Sequence, residues 1–250
     1  MTDDAENARA RRLLTNKEER PLPKRFYKDV SVGEGNAILL DGRGVKTPLK
    51  LPLTLPNPNL AEAVAEEWRA QIDFINPALM PLTKLANTAL DRAGPERAHV
   101  AGEVVAFAGS DLVCYRADEP EKLVELQEAG WNPVLDWAKK NLDAHFIATH
   151  GILHVTQPKD ALAAVEAHVA RLDDFELTPV HNLTTLTGSC LIALMLHARA
   201  ISAEGAWQAA HVDEDYQISE WGEDFEAVDR RAIRKAEYDG TVRFMELLRP

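Results

Sequence analysis

The stretch NPNLAEAVAEEWRAQIDFI, Asn57 to Ile75, marks the point where the chain changes its periodicity. From Leu60 onward apolar side chains return at helical spacing. Leu60, Val64, Trp68 and Ile72 form one stripe, with Ala61, Ala65 and Ile75 beside it and charged residues on the other face. A helix is expected to start here, capped by Asn59. Upstream, from Arg25 to Leu55, the pattern is strand-like. RFYKDVSV runs to Gly33 and Gly35, NAILLDGRG turns at Asp41 and Gly42, and VKTPLKLPL follows, which predicts two hairpins or a small meander. Pro48, Pro52, Pro56 and Pro58 each lack a ladder donor, so the chain beyond Lys46 is expected as an edge or covering segment.

Downstream, helical patterns dominate, separated by the proline- or glycine-marked breaks NPALMP, AGPER, ADEPE and TQPKD. The spacing predicts helices over Leu82 to Arg92, Glu96 to Phe107, Glu121 to Asn141, Lys159 to Leu172 and Thr184 to Ile201, with two more through Leu248. Leu82, Leu85, Ala86 and Ala89 make a stripe that should be buried. FIATHGILHVT alternates on both sides of His150 and Gly151 and reads as a short hairpin near 146–155. The expected fold class is α+β. It has a charged flexible arm over 1–22, a small β-rich domain over 23–58 with its boundary somewhere in 58–80, and a larger helical domain over 59–250.

Composition narrows the function. The chain has 250 residues, 46% of them hydrophobic, enough to build real cores, and a formal net charge of −12. Such a field repels nucleic acid and anionic membrane and favours basic partners. The longest apolar run, Cys190 to Leu196, is far short of the ~18 residues that span a bilayer and reads as a core helix, so no membrane insertion is expected. Cys114 and Cys190 sit far apart in apolar surroundings, as buried free thiols of a reducing compartment do. The early Asp3, Asp4 and Glu6 fit neither a secretory nor an organellar presequence, and a cytoplasmic location is expected.

Enzymatic motifs find little support. DGRGVKTP lacks the spacer of a phosphate loop and is followed by no helix, so it reads as a turn. His145, His150 and His154 match no zinc-binding helix pattern. Ser189 and Cys190 follow Gly188 without a nucleophile elbow around them. Trp131, Leu135 and Ala138 share a helical face that serves either a core or a partner groove.

Asp213 to Asp229 holds eight carboxylates and no lysine or arginine before Arg230. Ile218, Trp221, Phe225, Val228 and Ala232 recur every three or four residues, which predicts one amphipathic helix with Glu220, Glu223, Glu226 and Asp229 towards water or the flanks. Gly222 inside it marks a bend or a close packing contact, and Glu226 stands four residues before Arg230 as an ordinary surface pair. A solvated acidic face accounts for this pattern as fully as a binding surface does.

Three long blocks carry a resemblance: LDGRGVKTPLKLPLTLP, LAEAVAEEWRAQIDFINPALMPLTKLANTALDR and DLVCYRADEPEKLVELQEAGWNPVLDWA, followed in order by EWGEDFEA. Together they resemble the assembly chaperones of the ATP synthase catalytic head, which hold the free α subunit until it joins β. The likeness runs from about Arg25 to the C-terminus and is to the bacterial, cytoplasmic members. It implies a small β-rich domain and a larger helical one, no cofactor, no catalysed reaction, and the α subunit as partner. It also implies a functional acid at Glu226, with Glu223, Asp224 and Asp229 as neighbouring partner-binding candidates. The alternative from a different class is a metal-assisted hydrolase using carboxylates of the 213–229 run.

Overall fold

The computed structural model describes residues 21–151 and 153–249; the side chains of Phe225 and Glu226 are outside the described set. The N-terminal arm expected over 1–22 falls, apart from its last two residues, outside the described residues. By contact the chain groups into two compact units. One holds the described residues up to Glu96 together with 174–179 and 224–250; the other holds 97–173 and 180–223. The change of element type near 58–80 thus lies inside the first unit.

In the first unit the expected meander is present. Strand β1, Val30–Val32, pairs antiparallel with β2, Ile38–Leu40, and β2 with β3, Arg43–Gly44. Asp41 and Gly42 both take positive φ, 48° and 76°, the backbone that a two-residue hairpin turn requires. The Asp41 carboxylate accepts from the N–H groups of Asp29 and Lys28 at 2.9 and 3.0 Å, and these bonds hold its pKa below the ordinary value. The proline-rich return is a covering segment. It touches the sheet through isolated bridges at Ala37–Thr54 and Lys46–Pro52 and buries Leu53 and Leu55.

Helix α1 spans Pro58–Arg69 and its cap is Asn57, not Asn59. Pro58 explains the correction, since a proline is favoured at the first helical position, where its missing N–H is not needed, and this moves the cap one residue before it. Asn57 accepts from Leu60 N–H at 2.9 Å. Leu60, Ala61, Val64 and Ala65 are buried as the stripe predicted, but the helix stops at Arg69, so Ile72 lies beyond it and is exposed. Helix α2, Pro81–Thr88, continues into a π-helical turn over Ala89–Ala93, and Leu82, Leu85, Ala86 and Ala89 are all buried.

The second unit is built on helices α3 (Arg97–Ala108), α4 (Glu121–Leu142), α5 (Lys159–Val169) and the later part of α6 (Asp174–Thr187). To these it adds α7 (Cys190–His197), α8 (Ala203–Ala210) and α9 (Val212–Trp221). The expected helix over Thr184 to Ile201 is really two. Gly188, at φ 70°, breaks it, and the Ser189 hydroxyl caps α7 by accepting from Ile192 N–H at 3.0 Å. Every residue of α7 is buried, as its apolar run predicted. The hairpin expected near 146–155 is not found among the described residues. Strand β5, Thr149–His150, instead pairs parallel with β4, Tyr115–Arg116. Alternation reports a strand but not its partner, and here the partner is more than thirty residues away.

Helix α10, Phe225–Leu247, returns to the first unit and packs on α2. A Cβ at Gly240 would come within 2.8 Å of Pro81 Cβ, so this crossing needs glycine. Phe244 is fully buried in one core with Ile38, Leu53, Leu60, Leu82 and Leu85.

Leu85→Asp would place a carboxylate in that core and should lower stability by about 3–5 kcal/mol, read as a loss of urea midpoint. Glu67 yields a second expectation. Its carboxylate accepts from Leu82 N–H, Thr83 N–H and the Thr83 hydroxyl at 2.7–2.8 Å, tying α1 to the start of α2. Burial outweighs these donors and raises its pKa from 4.5 to about 7. The folded state then binds this proton more tightly than the unfolded chain does. The resulting stabilisation is complete below 4.5 and is lost as pH rises through about 7. Urea melts at pH 4.5, 6 and 7.5 should therefore show the parent losing stability relative to Glu67→Gln as pH rises, by up to roughly 3 kcal/mol. A parent that instead gains on the variant would mean that the three donors outweigh burial.

Candidate functional site

The acidic run does not form one helix. Helix α9 ends at Trp221, and Gly222 follows at φ 83° and ψ 176°, a conformation that is essentially glycine-only. Asp224 then caps α10, accepting from Ala227 N–H at 3.2 Å. The stripe predicted through Ile218, Trp221, Phe225 and Val228 is therefore corrected. Trp221 is 77% exposed, and the ring buried in α9 is that of Tyr216. Periodicity crossed the break because one glycine removes no apolar residue from the pattern, while its backbone rotates everything after it.

Several of these carboxylates have local partners that the sequence did not disclose. Asp213 accepts from the Gln127 side-chain amide at 2.7 Å, and Lys122 donates to Glu220 at 2.6 Å, so both hold α9 to α4. The Lys122 ammonium also lies 5.6 Å from the centre of the buried Tyr216 ring. Asp224 caps α10 and stands 3.9 Å from the Arg230 guanidinium. Glu223 is exposed and outside regular structure, and Asp229 is half-exposed in the second turn of α10. The Glu226 backbone lies in the first turn of α10, where the positive end of the helix favours an acid. Its side chain, and hence the pair expected with Arg230, lies outside the described residues.

The other chemical candidates do not converge. The Tyr115 hydroxyl and His154 Nδ1 are 3.0 Å apart, His150 Nδ1 lies 3.4 Å from the Ala117 carbonyl, and His145 lies 3.4 Å from Asp143. Among the described residues no three of His, Cys, Asp and Glu are grouped to hold a metal ion. The Ser189 hydroxyl is committed to its cap, fully buried. Cys114 and Cys190 are buried free thiols, as their surroundings predicted, and burial pushes Cys114 up to about 12, away from thiolate chemistry. Trp131 resolves to core. It is fully buried, donates to the Ala209 carbonyl at 2.7 Å, and carries the Arg116 guanidinium 5.4 Å from its ring centre.

Sequence reasoning also missed Asp111, which is wholly buried and ties two helical starts together. Its carboxylate accepts from Val113 N–H at 3.3 Å and Leu191 N–H at 3.0 Å. Burial is the stronger influence and raises its pKa to about 6 against those donors. No local pattern disclosed this meeting, because the periodicity ran one helix across Gly188 and set Asp111 in no motif.

No helix among the described residues is long and apolar enough to cross a membrane. The model of the ATP12 chaperone protein family matches residues 24–139. The crystal structure of Atp12 from Paracoccus denitrificans is 41% identical, covers 91% of this chain and 99% of its own, and superposes with a TM-score of 0.85. An Agrobacterium tumefaciens protein proposed to be a chaperone is 38% identical over 98% of both chains, with a TM-score of 0.86. With identity of this order along nearly the whole of both molecules, the chain belongs to the ATP12 chaperone family, the ATP synthase assembly chaperones that its sequence resembles.

Proposed function

We propose that this protein binds the unassembled α subunit of the ATP synthase catalytic head and keeps it from aggregating until β replaces it. Family membership carries the reading, and the Trp221–Glu223 stretch supports it. That stretch displays a large aromatic ring and a carboxylate on either side of a turn that only glycine adopts readily. An unassembled subunit exposes apolar surface that it later buries, and such surface drives self-association. Apolar contact shields it, while Glu223, Glu226 and Asp229 steer the encounter and set its register more than they add affinity. Asp224 contributes by starting α10. The chemistry needed is binding and release, with no cofactor and no reacting group.

Light scattering of refolding α subunit tests the central claim, and aggregation should fall at molar excess of the chaperone without nucleotide. Unchanged scattering would sink the reading. Glu226→Lys should reduce co-purification of α at least tenfold and Glu226→Gln by less, because the lysine turns attraction into repulsion. The fold should tolerate both, since a lysine in the first helical turn costs about 0.3–1 kcal/mol. A Glu226→Lys protein that captures α normally would remove Glu226 from the site. One that unfolds would make the carboxylate structural.

A further inference from the structure

The first unit carries a rigid apolar face that nothing in the acidic segment explains. Lys24 and Phe74 form an antiparallel bridge, with Arg25 N–H donating to the Asp73 carbonyl at 2.9 Å and Ile75 N–H to the Pro23 carbonyl at 2.8 Å. Phe26 lies two residues after Lys24 and Ile72 two residues before Phe74, so both flank this bridge, with a bend at Asp73. The apolar side chains around the bridge divide sharply by exposure. Phe26 is 75%, Ile72 80% and Phe74 47% exposed, while Tyr27 and Ile75 are buried.

The exposure is built rather than a fraying of the chain. Arg25 clamps the two segments together, donating from Nε to the Tyr27 carbonyl, from Nη1 to the Gln71 carbonyl and from Nη2 to the Lys28 carbonyl. Its guanidinium lies 4.7 Å from the centre of the Tyr27 ring. The Tyr27 hydroxyl donates to the Trp68 carbonyl at 2.7 Å, and Phe26 meets Tyr27 edge to face at 5.4 Å. Three large apolar side chains on segments anchored in this way lose little freedom when a partner covers them.

Charge says what kind of partner. The chain as a whole is at −12, yet from Pro21 to Pro56 six basic residues face three acidic ones. Lys24 and Lys28 are exposed two residues to either side of Phe26, and the exposed Asp73 stands between Ile72 and Phe74. We infer that the Phe26–Ile72–Phe74 ribbon is a second client-contact surface, taking an exposed apolar segment of the unassembled subunit that is flanked by carboxylates. This rests on the reading of the protein as a subunit chaperone. A second copy of the chain is the less suited occupant, because two bodies of −12 repel at long range.

The test uses the full chain, the double variant Ile72→Ser/Phe74→Ser, and the charge reversal Lys24→Glu/Lys28→Glu. Each is titrated calorimetrically with purified α and with purified β, and each is sedimented alone. Both variants should keep the parental melting temperature, since the changed side chains are exposed. The serine pair should weaken α binding at least tenfold and the lysine reversal severalfold. Undiminished α binding by both variants would overturn the ribbon and leave the proposed function standing. Binding of β in place of α, weakened by the same variants, would overturn the α assignment and keep the ribbon as a client surface. Binding of neither subunit by the parent would overturn both. Parental self-association abolished by the serine pair would make the ribbon a contact between copies and overturn the client assignment.

Discussion

A single asparagine closes the ends of two helices whose residues stand about 190 positions apart. Asn57 accepts from Leu60 N–H at the start of α1 and donates to the carbonyls of Leu247 and Leu248 at the end of α10. Both helix ends leave backbone groups without intrahelical partners, and one amide side chain has the acceptor and the donors to serve both. The packing beneath depends on the same meeting. Phe244 of α10 fills the core between the meander and helices α1 and α2, and Phe175 stacks against it with ring centres 6.4 Å apart. The β-rich segment has too few apolar residues to fold alone, and it completes its core with the last helix of the chain.

Carboxylates do two different jobs in this protein. Glu67 and Asp111 are drawn out of water to satisfy the N–H groups of helix starts, and each has a raised pKa because burial outweighs the bonds gained. They link segments that the chain keeps apart, Glu67 to the start of α2 and Asp111 to the start of α7. The carboxylates from Asp213 to Asp229 stay nearer water. Some of them anchor α9 or cap α10, and Glu223 stands exposed beside the Gly222 break. A chaperone that must let its client go has a use for such groups, because exposed charges speed encounter while adding little to final affinity.

Two surfaces of opposite character follow. The Trp221 stretch sets an aromatic ring among acids, and the Phe26 ribbon sets aromatic and aliphatic side chains among lysines. The first follows a backbone turn that glycine permits, and the second is anchored by the Arg25 clamp.

The sequence by itself determined the element types: the meander with its Asp41–Gly42 turn, the buried stripe of α2, the core helix α7 and the family. Each is written in local periodicity or in a contiguous block of residues. The candidate acids were legible as a charge run, but their division among anchors, caps and exposed groups was not. That division depends on where Gln127 and Lys122 of α4 stand in space and on how Gly222 turns the backbone. Tertiary structure alone decided that Ile72 faces water and Ile75 does not, that Thr149–His150 pairs with β4 instead of its neighbour, and that α10 completes the core of the meander. A periodic pattern says that a face must be covered; which segment covers it is settled by long-range packing and by the capping bonds that only the folded chain can bring together.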